Sequence, residues 1–275
     1  MAPRRSVLLL LLLLPVMVLA VTAPGWAQDV SPVTAESTVE KSFASHFFIA
    51  TRTDPDRGTH VELLGSLIIW FLLVLSVLSI SLIGRLAVSN QRKTIVPAAI
   101  VDEARRLLLA GEYRAALELA TRDPSDFSRM LRAALKDASH GFAAVIRSLE
   151  QTADELATER MRRVEYLNVL GQVSPMIGLF GTVYGMILAF QAIVAAGGNA
   201  DPVLLAGGIG TALTTTFWGL IVAIPALAGY GIIRNTIDEL STEAIVTAED
   251  LLKQFRPRPG PGPARRGDAR TSSPR

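Results

Sequence analysis

Five threonines stand in sequence that is otherwise apolar: Thr182, then Thr211, Thr214, Thr215 and Thr216 inside GGIGTALTTTFWGLIVAIPALAGYGII, which runs from Gly207 to Ile233. A hydroxyl both donates and accepts hydrogen bonds, so it can solvate a protonatable group in either charge state without being an acid or base itself. Positions 211 and 215 share one helical face, and 212, 216 and 219 lie about 100° round from it. Two readings are open. A lone threonine in an apolar helix usually returns its hydroxyl to a carbonyl one turn earlier. A cluster, with Thr182 at a matching depth in a neighbouring helix, fits hydroxyls facing a wet interior rather than lipid.

The same blocks hold Gly178, Gly181, Gly185 and Ala189, a small-residue face whose four-residue spacing lets helix backbones approach in lipid. Pro175 and Pro225 each remove a backbone donor, which fits either a fixed bend or a moving hinge. No Asp, Glu, Lys, Arg or His falls within these blocks. A self-sufficient proton relay is thereby excluded, and any acid must come from elsewhere. The chain has no cysteine, and its three histidines, His46, His60 and His140, are scattered, so no catalytic or metal site and no cofactor is expected.

These residues need long apolar elements to carry them. Half of the 275 residues are hydrophobic, and they gather in uncharged blocks. Leu63 to Leu82, Leu167 to Ala196 and Val203 to Ile233 each reach the length of about 20 residues needed to cross a bilayer core. The polar turn AGGNADP joins the last two as an antiparallel hairpin. Ahead of them, Arg4 and Arg5 precede an apolar run and the small residues Gly25 and Ala27, the pattern of a secretory signal peptide, with an uncleaved anchor helix as the alternative. Basic residues flank one end of every span: Arg85, Arg92 and Lys93, then Arg160, Arg162 and Arg163, then Arg234. By the positive-inside rule those ends face the cytoplasm, leaving the N-terminus and the hairpin turn periplasmic. A net charge of +2 with interspersed signs gives no reason to expect nucleic acid.

The fold expected is therefore an all-α membrane protein of three transmembrane helices. Its organisation reads as residues 1–27 signal peptide, 28–62 exported segment, 63–84 first span and 85–166 cytoplasmic helical region. Residues 167–196 and 203–233 form the second and third spans around a turn at 197–202, with a helical extension over 234–255 and a disordered basic tail over 256–275. PAAIVDEARRLLLAGEYRAALELATR predicts two amphipathic helices broken at Gly111, and DPSDF a new start with Ser125 as N-cap. From Phe142 the helical pattern meets no proline before Pro175, so the second membrane helix starts deep in the cytoplasm, and the third continues to about Phe255. The Pro-, Gly- and Arg-rich tail is either simply solvated or touches anionic membrane lipid.

GQVSPMIGLFGTVYGMILAF followed by GGIGTALTTTFWGLIVAIPALAGY strongly resembles the hallmark hairpin of the ExbB/TolQ/MotA proton-channel family, and ExbB most of all. The resemblance covers Leu167 to Arg234 closely and the three-span layout loosely. It implies a homopentameric ring in the inner membrane around a single-span ExbD-like partner, whose intramembrane aspartate couples proton flow to mechanical work, and a TonB-like protein as the recipient. It implies that Thr182 and Thr216 line the proton path, with Thr211 and Thr215 beside them, and that Pro175 and Pro225 are family prolines. Thr211 stands where ExbB and TolQ members commonly have glutamate, which leaves the carboxylate to the partner. TolQ-like envelope maintenance or another MotA-type energiser is the alternative. A passive membrane scaffold, a solute transporter and a soluble enzyme are rivals of other classes.

Overall fold

The computed structural model describes residues 51–54, 58–61, 63–199 and 202–253. The expected signal peptide, most of the exported segment, residues 200–201 of the hairpin turn and the basic tail lie outside the described residues. Two short strands, β1 (Thr51–Asp54) and β2 (Gly58–Val61), come first. Helices α1 (Leu63–Ser89), α2 (Arg92–Ile95), α3 (Ala98–Leu109), α4 (Tyr113–Arg122) and α5 (Asp126–Lys136) follow. A single 3₁₀ turn at Ala138–His140 leads to the two longest helices, α6 (Phe142–Ala195) and α7 (Pro202–Leu252).

Three of these helices, α1, α6 and α7, are long and apolar enough to cross a membrane. The 54 residues of α6 make about 80 Å of helix at 1.5 Å per residue, against about 30 Å of bilayer core. Both long helices run on through their internal prolines, Pro175 and Pro225. The strand pair departs from the all-helical expectation: β1 and β2 are antiparallel, with Thr51 opposite Val61 and Asp54 opposite Gly58. Thr51, Thr53, Thr59 and Val61 are β-branched and suit extended backbone. Four residues a side is too short for the alternation to stand out in the sequence.

The chain forms two compact bodies. The first joins residues up to Thr94 with Leu156–Leu240. In it α1 buries a stripe of Ile68, Ile69, Leu72, Leu75, Ser79, Ile83 and Leu86, spaced three or four apart so that one face meets its neighbours. Ile68, Ile69 and Leu72 cluster with Trp218, with Ile177 and Ile221 packed alongside. Ile83 and Leu86 cluster with Val164, Leu167, Ile233 and Ile237. As α1 advances, its contacts advance along α7 and retreat along α6, so α1 and α7 run parallel and α6 runs against both. The opposite face of α1, with Leu67, Trp70 and Val74, is exposed, as a lipid-facing surface must be.

Below that stripe the C-terminal end of α1 is closed by side chains. Asn90 Nδ2 donates to the Leu86 carbonyl at 2.8 Å, and Arg160 donates to the Ser89 carbonyl at 3.1 Å and to Asn90 Oδ1 at 2.9 Å. A helix end leaves carbonyls without partners and a partial negative charge, which a guanidinium satisfies on both counts.

The second body holds Ile95–Glu155 and the described residues 241–253. Here α4 packs against both α3 and α5. Gly111 ends α3 with φ of 77°, and the Gly111 and Glu112 amides donate back to the Leu108 and Leu107 carbonyls. That double bond closes the last turn and needs a left-handed residue, which glycine supplies at no steric cost. Ser125 caps α5, its Oγ accepting from the Ser128 amide at 3.3 Å. Phe127, Met130, Leu131 and Ala134 are buried along α5, and Ala116 and Ala120 along α4.

Candidate functional site

The expected site residues lie where α6 and α7 meet, and the contact is made by the absence of side chains. A methyl group added at Gly185 would sit 2.7 Å from the Gly208 carbonyl and 2.9 Å from the Ala212 amide, and one at Gly178 would sit 3.0 Å from the Thr215 carbonyl. At Gly181 it would overlap the Thr215 side chain. From the other helix, a methyl at Gly219 would lie 2.8 Å from the Ser174 carbonyl. Backbone therefore touches backbone along about three turns, which only small residues permit. Pro175 is half-buried at the edge of this seam, and Pro225 is buried further along α7. Having no N–H, they leave the Gly171 and Ile221 carbonyls without their usual helical donors.

The hydroxyls divide into two groups. Thr182 Oγ1 donates to the Leu179 carbonyl at 2.7 Å, while Thr215 and Thr216 reach across the seam to the Gly178 carbonyl at 3.3 and 3.4 Å. Three hydroxyls thus converge on adjacent carbonyls of α6. Thr215 is fully buried and also donates to its own Ala212 carbonyl at 2.9 Å. Thr211 stands apart: it is buried and bonds the Gly207 carbonyl of its own helix at 3.1 Å. Within one chain, Thr211 and Thr215 point into protein, whereas Thr182 and Thr216 are half-exposed at the seam's margin. Since each hydroxyl gives its proton to a carbonyl, its lone pairs remain open to accept from a further donor.

One constellation escaped the reading of the sequence. At the end of the spans marked by Arg234, Glu165 accepts from Asn168 Nδ2 at 2.7 Å, and Asn168 Oδ1 accepts from Gln172 Nε2 at 2.7 Å. From α7, Tyr230 Oη donates to Glu165 Oε2 at 3.4 Å, and Arg234 donates to Tyr230 Oη at 3.1 Å with its guanidinium 5.9 Å from the ring centre. The i, i+3, i+7 spacing of Glu165, Asn168 and Gln172 was visible, but the 65-residue link to Tyr230 was not.

In the second body, Asp123 accepts from the Ser125 amide at 3.1 Å, from Ser128 Oγ at 2.6 Å and from Ser125 Oγ. Burial pushes its carboxyl up, but these donors outweigh it and hold the group below the usual carboxylate value. Among the described residues no three His, Asp or Glu side chains come together as a metal site would require.

The chain is similar in sequence to several known proteins. The chain is 46% identical over 63 residues to biopolymer transport protein exbB1 of Vibrio cholerae, covering 23% of this chain and 28% of that protein. It is 40% identical over 92 residues to biopolymer transport protein ExbB of Salmonella typhimurium, covering 33% and 37%. It is 41% identical over 91 residues to the Tol-Pal system protein TolQ of Haemophilus influenzae, covering 29% and 40%. The chain thus spans less than half the length of these curated relatives. Residues 122–244, which hold α5, the whole of α6 and most of α7, match the MotA/TolQ/ExbB proton channel family. The hairpin that brings Thr182, Thr215 and Thr216 together therefore lies within the stretch that matches the MotA/TolQ/ExbB proton channel family.

Proposed function

We propose that this chain is the channel subunit of an inner-membrane energiser, which with an ExbD-like single-span partner converts proton flow into mechanical work for TonB-dependent transport across an outer membrane. The observation that carries this reading is the convergence of Thr182, Thr215 and Thr216 on adjacent α6 carbonyls, within spans that hold no Asp, Glu, Lys, Arg or His. Such a site can solvate a carboxyl but cannot supply one. An aspartate brought in by the partner would sit in low dielectric, where the neutral form is favoured and its pKa rises. When that carboxyl is neutral, Thr182 and Thr216 accept from it while still bonded to their carbonyls. Once it is charged, they rotate and donate to it. Each protonation state thus has a different bonding partner, and the partner helix shifts as it titrates.

In this reading several copies of the chain ring the partner, as the pentamer of the resembling family implies, and the exposed apolar faces meet lipid or neighbouring copies. The arginines at the span ends support a cytoplasmic side for α2 to α5 and for the C-terminal end of α7.

Valine replaces a threonine hydroxyl with a methyl of nearly the same shape. Proton flux in liposomes holding the chain with its partner is expected to fall at least tenfold for Thr182→Val or Thr216→Val. Full flux in both variants sinks the reading and leaves the passive scaffold. A TolQ-like role in envelope maintenance is the second reading, favoured by the near-equal identity to TolQ and ExbB relatives. Deleting the gene separates the two: lost TonB-dependent uptake supports the first, and leakage of periplasmic protein with uptake intact supports the second.

A further inference from the structure

The polar groups of the α6–α7 hairpin lie along one edge. On α6, Asn168, Pro175 and Thr182 are seven residues apart, and on α7 so are Thr216, Ala223 and Tyr230, so each trio follows one side of its helix with about 20° of drift per step. The helices run antiparallel, with Thr216 at Gly178 and Tyr230 at Glu165, which keeps the two lines in register. Ile177 and Trp218 turn toward α1. By helical angle, Thr182, Asn168 and Gln172 on α6 and Thr216 on α7 lie on the other side of the seam, while Tyr230 follows the seam itself and also packs against the cluster of Ile83 and Leu86. The edge starts at the paired hydroxyls and ends at a carboxylate, 17 residues or about 25 Å along α6.

We infer that Glu165 is the terminal proton acceptor of this edge, taking the proton released beside Thr182 and Thr216 and passing it to bulk water. The inference rests on the proton-channel reading above. Exposed amide and carboxylate pairs three or four apart on a helix are common and weak. Two features set this one apart. The amides are oriented: Gln172 donates to Asn168 and Asn168 to Glu165, so every donor points toward the carboxylate. Its other oxygen is held from the second helix by Tyr230, itself fixed by Arg234. Neither amide gains or loses a proton; they orient Glu165 and order water along the edge. A proton arriving on that water protonates a Glu165 oxygen, and its departure to bulk solvent restores the carboxylate, so nothing else is consumed.

The full chain, co-reconstituted with its single-span partner in vesicles of phosphatidylethanolamine and phosphatidylglycerol, is driven by a potassium diffusion potential while an internal pH dye reads proton entry. Glu165→Gln is expected to lower the flux at least tenfold, Glu165→Asp to stay within about threefold of the native chain, and Glu103→Gln, an exposed carboxylate of α3 in the second body, to leave it unchanged. Circular dichroism and the amount of protein in the vesicles establish that each variant is folded and inserted. Native flux in Glu165→Gln alongside lost flux in Thr216→Val overturns the role of Glu165 and leaves the channel reading standing. Flux no higher than that of empty vesicles for the native chain overturns both.

Discussion

Within one body of this molecule α7 makes two contacts by opposite means. Against α6 it offers Gly208, Ala212, Thr215 and Gly219, and the backbones touch. Against α1 it offers Trp218 and Ile233, and large side chains interlock with Ile69, Leu72 and Ile83. In water both would count as burial of apolar surface. In lipid that distinction fades, because an exposed leucine already sits in hydrocarbon, and what remains is how closely atoms pack and whether polar groups are satisfied. The glycine seam gains close contact and carbonyl–hydroxyl bonds. The α1 face gains mainly dispersion contacts between large side chains, and of its two buried hydroxyls, Ser66 and Ser79, the second has no partner. The seam is thus the specific contact and the α1 face the tolerant one.

The harshest way to break that contrast is to fill the seam. Gly185→Leu places its side chain against the Gly208 carbonyl and the Ala212 backbone, which cannot step aside. Its cost should exceed the roughly 1–3 kcal/mol of ordinary overpacking. We expect loss of folded protein in detergent, read by size-exclusion chromatography. The matching change on the other face is Leu72→Ala, which should fall at or below the low end of the roughly 2–5 kcal/mol typical of buried Leu→Ala, since the removed atoms lose packing but little transfer energy. Chemical denaturation in micelles ranks the two, and a larger loss for Leu72→Ala would reverse the contrast.

Legibility followed the same division. What depends on neighbours in the chain could be read directly: the helix break at Gly111, the cap at Ser125, and the unbroken run from Phe142, which is where α6 starts. What depends on register between helices could not. Periodicity grouped Thr211 with Thr215 on one face, yet only pairing with α6 gives Thr215 the Gly178 carbonyl and leaves Thr211 with its own helix. The Arg160 clamp on Asn90 and the Glu165–Tyr230 bond join residues 70 and 65 apart, beyond the reach of any local pattern.

A finer probe sharpens the seam itself. Thr215→Val removes a buried hydroxyl that spans the helices, whereas Thr216→Val removes one at the margin. Interhelical hydrogen bonds in membranes average about 0.6 kcal/mol, with a ceiling near 1.7. Thr215→Val should therefore cost up to about 1 kcal/mol of stability, and Thr216→Val less, while the order reverses for proton flux. Denaturation midpoints and vesicle fluxes on the same two variants test that crossover. Equal ranking in both assays would mean that the two hydroxyls do one job.

The smallest expected effect concerns acid. The spans that make both contacts of α7 hold no Asp, Glu, Lys, Arg or His, so acid should leave both unmoved until the chain opens elsewhere. Asp123 is where it can open. Burial raises its carboxyl, the Ser125 and Ser128 donors lower it further, and the net value in the fold lies below the unfolded one. A carboxylate of that kind contributes stability that is complete above its unfolded value of about 3.9 and fades as pH falls through the folded value. Asp123→Asn keeps an acceptor but loses the charge. It should make the α4–α5 turn more susceptible to limited proteolysis at neutral pH, and the gap from the native chain should close below about pH 4. Cleavage appearing first within α1 or the hairpin on acidification would place the acid-sensitive point in the spans, against the contrast drawn between the two bodies.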